Sequence, residues 1–245
     1  MKKMVFILTV IFLTVYGLNG QNSNYGYKIV QKINLQGDGG WDYLIADDAS
    51  EMLYVSHGTL VNVVDLKTGK SVATITDVNG VHGIAVADEL NKGFISNGAG
   101  NNVTVFDTRD FKVIEKVQVT GENPDAILYE PYTKSIITWN GRSSNATVID
   151  SKTDKVIQTI TLGGKPEAAV SDGKGKVFVN IEDKSEVSVI NVKTWKVEQS
   201  WSISPGEGPS GLALDNVNHR LFSATDKLMV ILDAETGKVI TTVPT

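Results

Sequence analysis

An all-β fold of repeated four-stranded antiparallel units is what this sequence predicts, on three observations. First, one cassette of strand, tight turn and strand is written five times. The copies are VNVVDLKTGKSVATI (Val61–Ile75), VTVFDTRDFKVIEKV from Val103, ATVIDSKTDKVIQTI from Ala146, VSVINVKTWKVEQSW from Val187 and LMVILDAETGKVITT from Leu228. Second, the polar residues that end the first strand of each copy (Asp65, Asp107, Asp150, Asn191 and Asp233) are spaced by 42, 43, 41 and 42 residues. A period of about 40–45 residues with four strands per unit marks a β-propeller blade. Third, two short apolar runs with period-two alternation precede each cassette, and no stretch after the leader keeps helical periodicity. Blades share one ring-shaped core, so residues 27–245 read as a single propeller domain.

Lys2 and Lys3 open the chain, an apolar run from Met4 to Leu18 follows, and Asn19-Gly20-Gln21 closes it. That is the pattern of a signal peptide, residues 1–20, cut after Gly20. The run falls short of the about 20 apolar residues a spanning helix needs. The expectation is export to the periplasm or the cell exterior, with no stable membrane span after cleavage. The sequence has no cysteine, which excludes disulfides and a lipid-anchoring thiol. Loss of Lys2 and Lys3 takes the net charge from −5 to −7. Residues 21–26 read as a linker.

Tyr27–Leu35 (YKIVQKINL) parallels FKVIEKVQV at Phe111–Val119 and reads as the outer strand of a blade. Five fuller units follow, at about 41–80, 81–123, 124–165, 166–208 and 209–245. Each opens with a short apolar strand (YLIA, GIAV, AILY, AAVS, GLAL) and continues through a turn to a second (MLYVS, KGFIS, SIITW, KVFVN, RLFSA). The cassette supplies strands three and four. In its turn, Asp or Asn accepts a hydrogen bond from a backbone N–H just ahead, and Gly69 and Gly237 supply positive φ. The count gives six outer strands but five sets of inner ones. Two more repeats would make seven, so a chain shortened at its C-terminus, folded as an open arc, is expected. The alternative is a closed five-bladed ring with a fifth strand on one blade.

The second-strand endings YVSHG (Tyr54–Gly58) and FISNG (Phe94–Gly98), the turn DLKTGK (Asp65–Lys70), the strand entries GGWDY, GVHGIA, NPDAI, KPEAAV and GPSGLA, and VNIEDKSEV (Val179–Val187) resemble the exported YncE-type propellers built of YVTN repeats. The likeness spans residues 27–245, although later second strands (ITWNG, FVNIE, FSATD) drift from Tyr-Val-Thr-Asn. The resemblance implies a seven-bladed ring in the complete family and members that are DNA-binding or lactonase-like. It places no catalytic motif on this chain.

Strands one and two are antiparallel, so the loop entering strand one and the loop leaving strand two share a face. Aligning the strand-one entries gives the column Asp42, His82, Asp125, Glu167 and Ser210, spaced by 40, 43, 42 and 43. Strand one is innermost, so the column is expected to ring the channel mouth. Asp42, His82, Asp125 and Glu167 offer the oxygen and imidazole ligands a divalent metal takes, or a surface for a cationic or hydroxylated ligand. The bland reading is a set of solvated turn residues following Pro124, Pro166 and Pro209. His57, Asn97, Asn140, Arg142, Glu182 and Asp183 leave strand two on the same face, with Trp41 and Trp139.

The sequence contains no G-x-S-x-G elbow, H-E-x-x-H, Walker loop or EF-hand loop, and no motif requires a cofactor. Three functions remain. The first is an exported binding or interaction protein for a small molecule or protein partner. The second is a lactonase-like hydrolase with a carboxylate or His82 as general base. The third is nucleic-acid binding, which an acidic chain with three arginines (Arg109, Arg142 and Arg220) disfavours.

Overall fold

Twenty strands pair into five four-stranded antiparallel sheets in the computed structural model, which describes residues 28–245. Blade 1 holds β1 (Trp41–Asp47), β2 (Met52–His57), β3 (Leu60–Asp65) and β4 (Lys70–Ile75). Blade 2 holds β5 (Val81–Ala87), β6 (Lys92–Asn97), β7 (Asn102–Asp107) and β8 (Val113–Gln118). Blade 3 holds β9 (Pro124–Glu130), β10 (Ser135–Asn140), β11 (Asn145–Asp150) and β12 (Lys155–Thr161). Blade 4 holds β13 (Pro166–Ser171), β14 (Lys176–Ile181), β15 (Glu186–Asn191) and β16 (Lys196–Ser202). Blade 5 holds β17 (Leu212–Asp215), β18 (Arg220–Ala224), β19 (Leu228–Asp233) and β20 (Val239–Pro244). The fold is thus a five-bladed β-propeller, with every blade paired in chain order. The expected leader and linker lie outside the described residues, among which no helix is long and apolar enough to cross a membrane.

The alternation read from the sequence places one side of each strand between blades. Tyr54, Val61 and Val63 of blade 1 bury against Val81, Ile84, Ile95 and Phe106 of blade 2. The Phe106 ring lies over Gly93, the residue it faces across the β6–β7 pair, so closely that a Cβ there would sit 2.0 Å from it. Phe94, Val103 and Val105 meet Ile136 and Ile149 of blade 3. Phe178, Val187 and Trp201 of blade 4 meet Leu221, Val230 and Leu232 of blade 5. Burying each such side chain stabilises by about 1.5–3 kcal/mol relative to exposure.

Two expectations change. Residues 28–35, read as a sixth outer strand, form none. An outer strand is held by hydrogen bonds to the strand inside it, and among the described residues no strand pairs with this segment. The innermost strands pack in the order β1, β5, β9, β13, β17, but β17 does not pack on β1 as the other neighbours do. The alternative of a closed five-bladed ring is therefore not formed, and the five blades of the described residues leave β1 and β17 without each other as neighbours. The burial of β1 and β17 reflects this, since both are more exposed than β5.

The repeated turns behave as their residues predict. Asp65 Oδ1 accepts the Thr68 N–H at 2.7 Å, Asp150 Oδ1 the Thr153 N–H at 2.7 Å, Asp107 Oδ1 the Arg109 N–H at 2.8 Å, and Asp233 Oδ1 the Thr236 N–H at 2.9 Å. Four residues after each lead residue the backbone turns left-handed. Glycine holds that position at Gly69 and Gly237, while Phe111, Asp154 and Trp195 adopt it with side chains. These hydrogen bonds favour the ionised carboxylate and hold all four pKa values below the usual Asp range; at Asp107 the Arg109 side chain contributes most, and at Asp150 the Thr153 hydroxyl does. A folded pKa below the unfolded one adds stability above about pH 4 that is lost as pH falls through the folded value. Thermal melts should therefore drop steeply below about pH 4. Replacing Asp150 by Ala should cost about 1 kcal/mol in urea denaturation at pH 7, and markedly less at pH 3.

Candidate functional site

The first four innermost strands share a defect at one place. In β1, Asp42 and Tyr43 stand opposite the single residue Ser56, because Trp41 pairs with His57 and Leu44 with Val55. In β5, His82 and Gly83 stand opposite Ser96. In β9, Asp125 and Ala126 stand opposite Trp139, and in β13, Glu167 and Ala168 stand opposite Asn180. Each is a β-bulge, which breaks the strict alternation and re-aims a side chain. Four of the five column residues thus sit in the same bulge. In blade 5 the position falls just before β17: the Ser210 N–H bonds the Ala224 carbonyl at 2.9 Å and the Ala224 N–H bonds the Gly211 carbonyl at 2.9 Å, so Ser210 and Gly211 also stand opposite one residue, and the Ser210 side chain is exposed.

Small polar side chains of the second strands hold the bulges. Ser96 Oγ accepts the Gly83 N–H at 2.9 Å and donates to the Asp125 carbonyl at 2.5 Å, tying blade 2 to blade 3. Ser56 Oγ donates to the Tyr43 carbonyl at 2.9 Å. Asn180 Nδ2 donates to the Ser210 carbonyl at 3.2 Å and the Gly211 carbonyl at 3.0 Å, tying blade 4 to blade 5. All three side chains are fully buried. Ser56 and Ser96 recur at a spacing of 40, the same as Asp42 and His82, and that shared spacing was the available signal for their role.

Three blades converge. His82 Nδ1 lies 2.6 Å from Asp42 Oδ2 and 3.4 Å from Asp125 Oδ1, and the three ligand atoms all fall within 4.8 Å of one another. His82 Nε2 lies against Gly98, where an added Cβ would be 2.6 Å from it and 2.8 Å from Asn123 Oδ1. Burial pushes the Asp125 pKa up, with His82 opposing and Asp42 adding to the rise. Glu167 sits apart in a second group. Lys165 Nζ lies 2.9 Å from Glu167 Oε1 and also bonds the Glu182 carboxylate, and Lys165 N donates to Asp183 Oδ1 at 2.8 Å. Burial raises the Glu167 pKa against the pull of Lys165, whereas Lys165 lowers that of Glu182. The half-buried Tyr43 packs against the blade 3–blade 4 core; burial first, then the charges of Asp125, Glu167 and Asp42, push its phenol's ionisation far up, so the hydroxyl stays neutral.

Other predicted site residues are structural. Asn140 is buried, with Nδ2 donating to Asn145 Oδ1 at 2.8 Å and Thr147 Oγ1 at 3.0 Å, and Asn97 repeats the pattern on Asn102 and Thr104. Their amides fasten strand two to strand three. His57 is buried under a parallel stack with Trp41 at 3.7 Å, and its Nε2 donates to the Gly39 carbonyl at 3.1 Å. Trp139 is fully buried between blades, whereas Trp41 keeps one face open. Arg142 is exposed on the strand-two exit. Tyr43, Ser96, Asn123 and Lys165 are the members the sequence reading passed over. A cavity of about 430 Å³ elsewhere, lined by Thr59, Leu60, Thr76, Asp77, Val78 and Asn79, includes none of the column.

No protein-family model matches the sequence, and no curated protein matches it. Among solved structures, the chain is similar to hydrazine synthase of Kuenenia stuttgartiensis, with a TM-score of 0.77 at 15% identity over 89% of this chain and 70% of that one. At that identity the likeness speaks to the fold alone.

Replacing Ser96 by Ala should cost about 1–3 kcal/mol in urea denaturation, because it leaves the buried Gly83 N–H without a partner. Amide exchange at Gly83 should accelerate with it, while exchange in β15 stays unchanged.

Proposed function

We propose that this chain is an exported, YncE-type binding module that holds a polar ligand at the entry end of its innermost strands. One observation carries the reading: successive bulges aim Asp42, His82 and Asp125 from three blades at one point, with the Lys165-centred group beside them. Three chain segments far apart in sequence spend a buried polar scaffold on presenting charged side chains, and their mutual repulsion lowers stability unless a ligand uses them. The ligand is small, or is one side chain of a protein partner.

The Asp42–His82 pair at 2.6 Å is what a lactonase-like hydrolase would need to orient a general base. Against this, His82 turns Nδ1 to the two carboxylates and Nε2 to Gly98. The nearest conserved-position hydroxyls of the repeat, Ser56 and Ser96, are buried and committed to backbone groups. A net charge of −5 with three arginines argues against a nucleic-acid partner.

Thermal melts of the protein against a panel of sugars, polyamines, amino acids and lactones test the reading. At least one compound should raise the melting temperature of the parent, and the shift should vanish in Asp125→Asn but persist in Glu186→Gln, a change on β15. Turnover of a lactone by the parent, abolished in His82→Gln, would reverse the choice in favour of the hydrolase.

A further inference from the structure

We infer that Asp42, His82 and Asp125 bind one divalent cation of the transition series, Zn²⁺ or Mn²⁺ by class, and that this ion anchors the ligand. The inference rests on the binding reading above and names the chemistry of its site. Each of the three residues comes from the bulge of a different blade, so no single turn explains their meeting as local hydrogen bonding does for Asp65 or Asp150. Their ligand atoms lie within 4.8 Å of one another. Atoms bound to one ion at about 2.1 Å are at most about 4.2 Å apart, so small side-chain rotations suffice.

The charges favour a dication. Two carboxylates face each other across one imidazole, and among the described residues His82 is the basic side chain within ion-pair distance of either. Glu167, the fourth bulge residue, is different, because Lys165 bonds it directly. Blade 4 therefore supplies its own counter-charge, and blades 1 to 3 do not. Two carboxylates and a neutral imidazole balance a divalent ion, which would take the place of the direct His82 Nδ1–Asp42 contact at 2.6 Å. One nitrogen with two oxygens suits Zn²⁺, Mn²⁺ or Co²⁺, whereas Mg²⁺ and Ca²⁺ prefer all-oxygen sets. Nε2 lies against Gly98, whereas Nδ1 faces both carboxylates, so Nδ1 is the nitrogen placed to ligate. Three protein ligands leave coordination positions open to solvent, where an anionic or hydroxylated ligand would attach.

Calorimetric titration of the untagged, chelator-stripped chain with Zn²⁺, Mn²⁺, Co²⁺, Mg²⁺ and Ca²⁺ tests this. The expected result is one transition ion per chain, with affinity falling more than about tenfold in each of Asp42→Asn, His82→Gln and Asp125→Asn. Glu167→Gln should change it less than about threefold. Circular dichroism melts confirm that each variant is folded, and X-ray absorption at the metal edge of the parent protein should show imidazole and carboxylate ligands. No binding, binding unaltered in all three variants, or a preference for Ca²⁺ or Mg²⁺ would overturn the inference. Failure of every cation alongside an Asp125-dependent melting shift with an uncharged compound would overturn the metal site and leave the binding reading standing.

Discussion

Everything at the candidate site depends on one surplus residue in each innermost strand. A regular strand alternates its side chains, so residues at one register position would point between blades or toward the axis according to parity alone. The bulges at Asp42–Tyr43, His82–Gly83, Asp125–Ala126 and Glu167–Ala168 let the strand keep its apolar face packed against the neighbouring blade while the first bulge residue turns to the entry end. The extra residue strains the ladder, and buried side chains from strand two take up the backbone groups it frees. Ser96 is the clearest case, since it satisfies a donor of its own blade and an acceptor of the next. The same bond that repairs the bulge therefore sets the distance between two site residues.

Electrostatics runs against stability at this end. Asp125 and Glu167 are both pushed up by burial, and each has a second carboxyl that adds to the rise. A carboxyl whose folded pKa exceeds its unfolded one loses stability as pH rises between the two values. The turn carboxylates at the opposite face do the reverse, held down by local hydrogen bonds. The repeated turn Asp residues thus stabilise the fold, whereas Asp125 and Glu167 are kept at a cost, and that contrast supports the proposed ligand-binding role of the column.

The repeat made the architecture legible. Asp65, Asp107, Asp150, Asn191 and Asp233 marked the turns, and the period placed every blade of the five. The column Asp42, His82, Asp125 and Glu167 was also readable, because a register position survives any feature that all copies share. The bulges themselves were not, since an insertion shared by the repeats leaves the spacing unchanged. Ser210 shows the limit from the other side: its spacing fits and it stands with Gly211 opposite Ala224, but its side chain is exposed and joins neither charged group. His57 and Asn140 looked like surface groups at strand ends, yet each is consumed, His57 by its stack on Trp41 and its bond to Gly39, Asn140 by its bonds to Asn145 and Thr147 on the next strand. The segment 28–35 failed for a related reason. Its strand-like pattern is real, but a pattern makes a strand only where a partner offers its edge.

The central claim is that Asp42 and His82, from separate blades, meet. A double-mutant cycle with Asp42→Asn and His82→Gln, read by urea denaturation at neutral pH, measures that meeting without any ligand. The account predicts a coupling above about 0.5 kcal/mol between the two sites. Strict additivity, within about 0.3 kcal/mol, would contradict it.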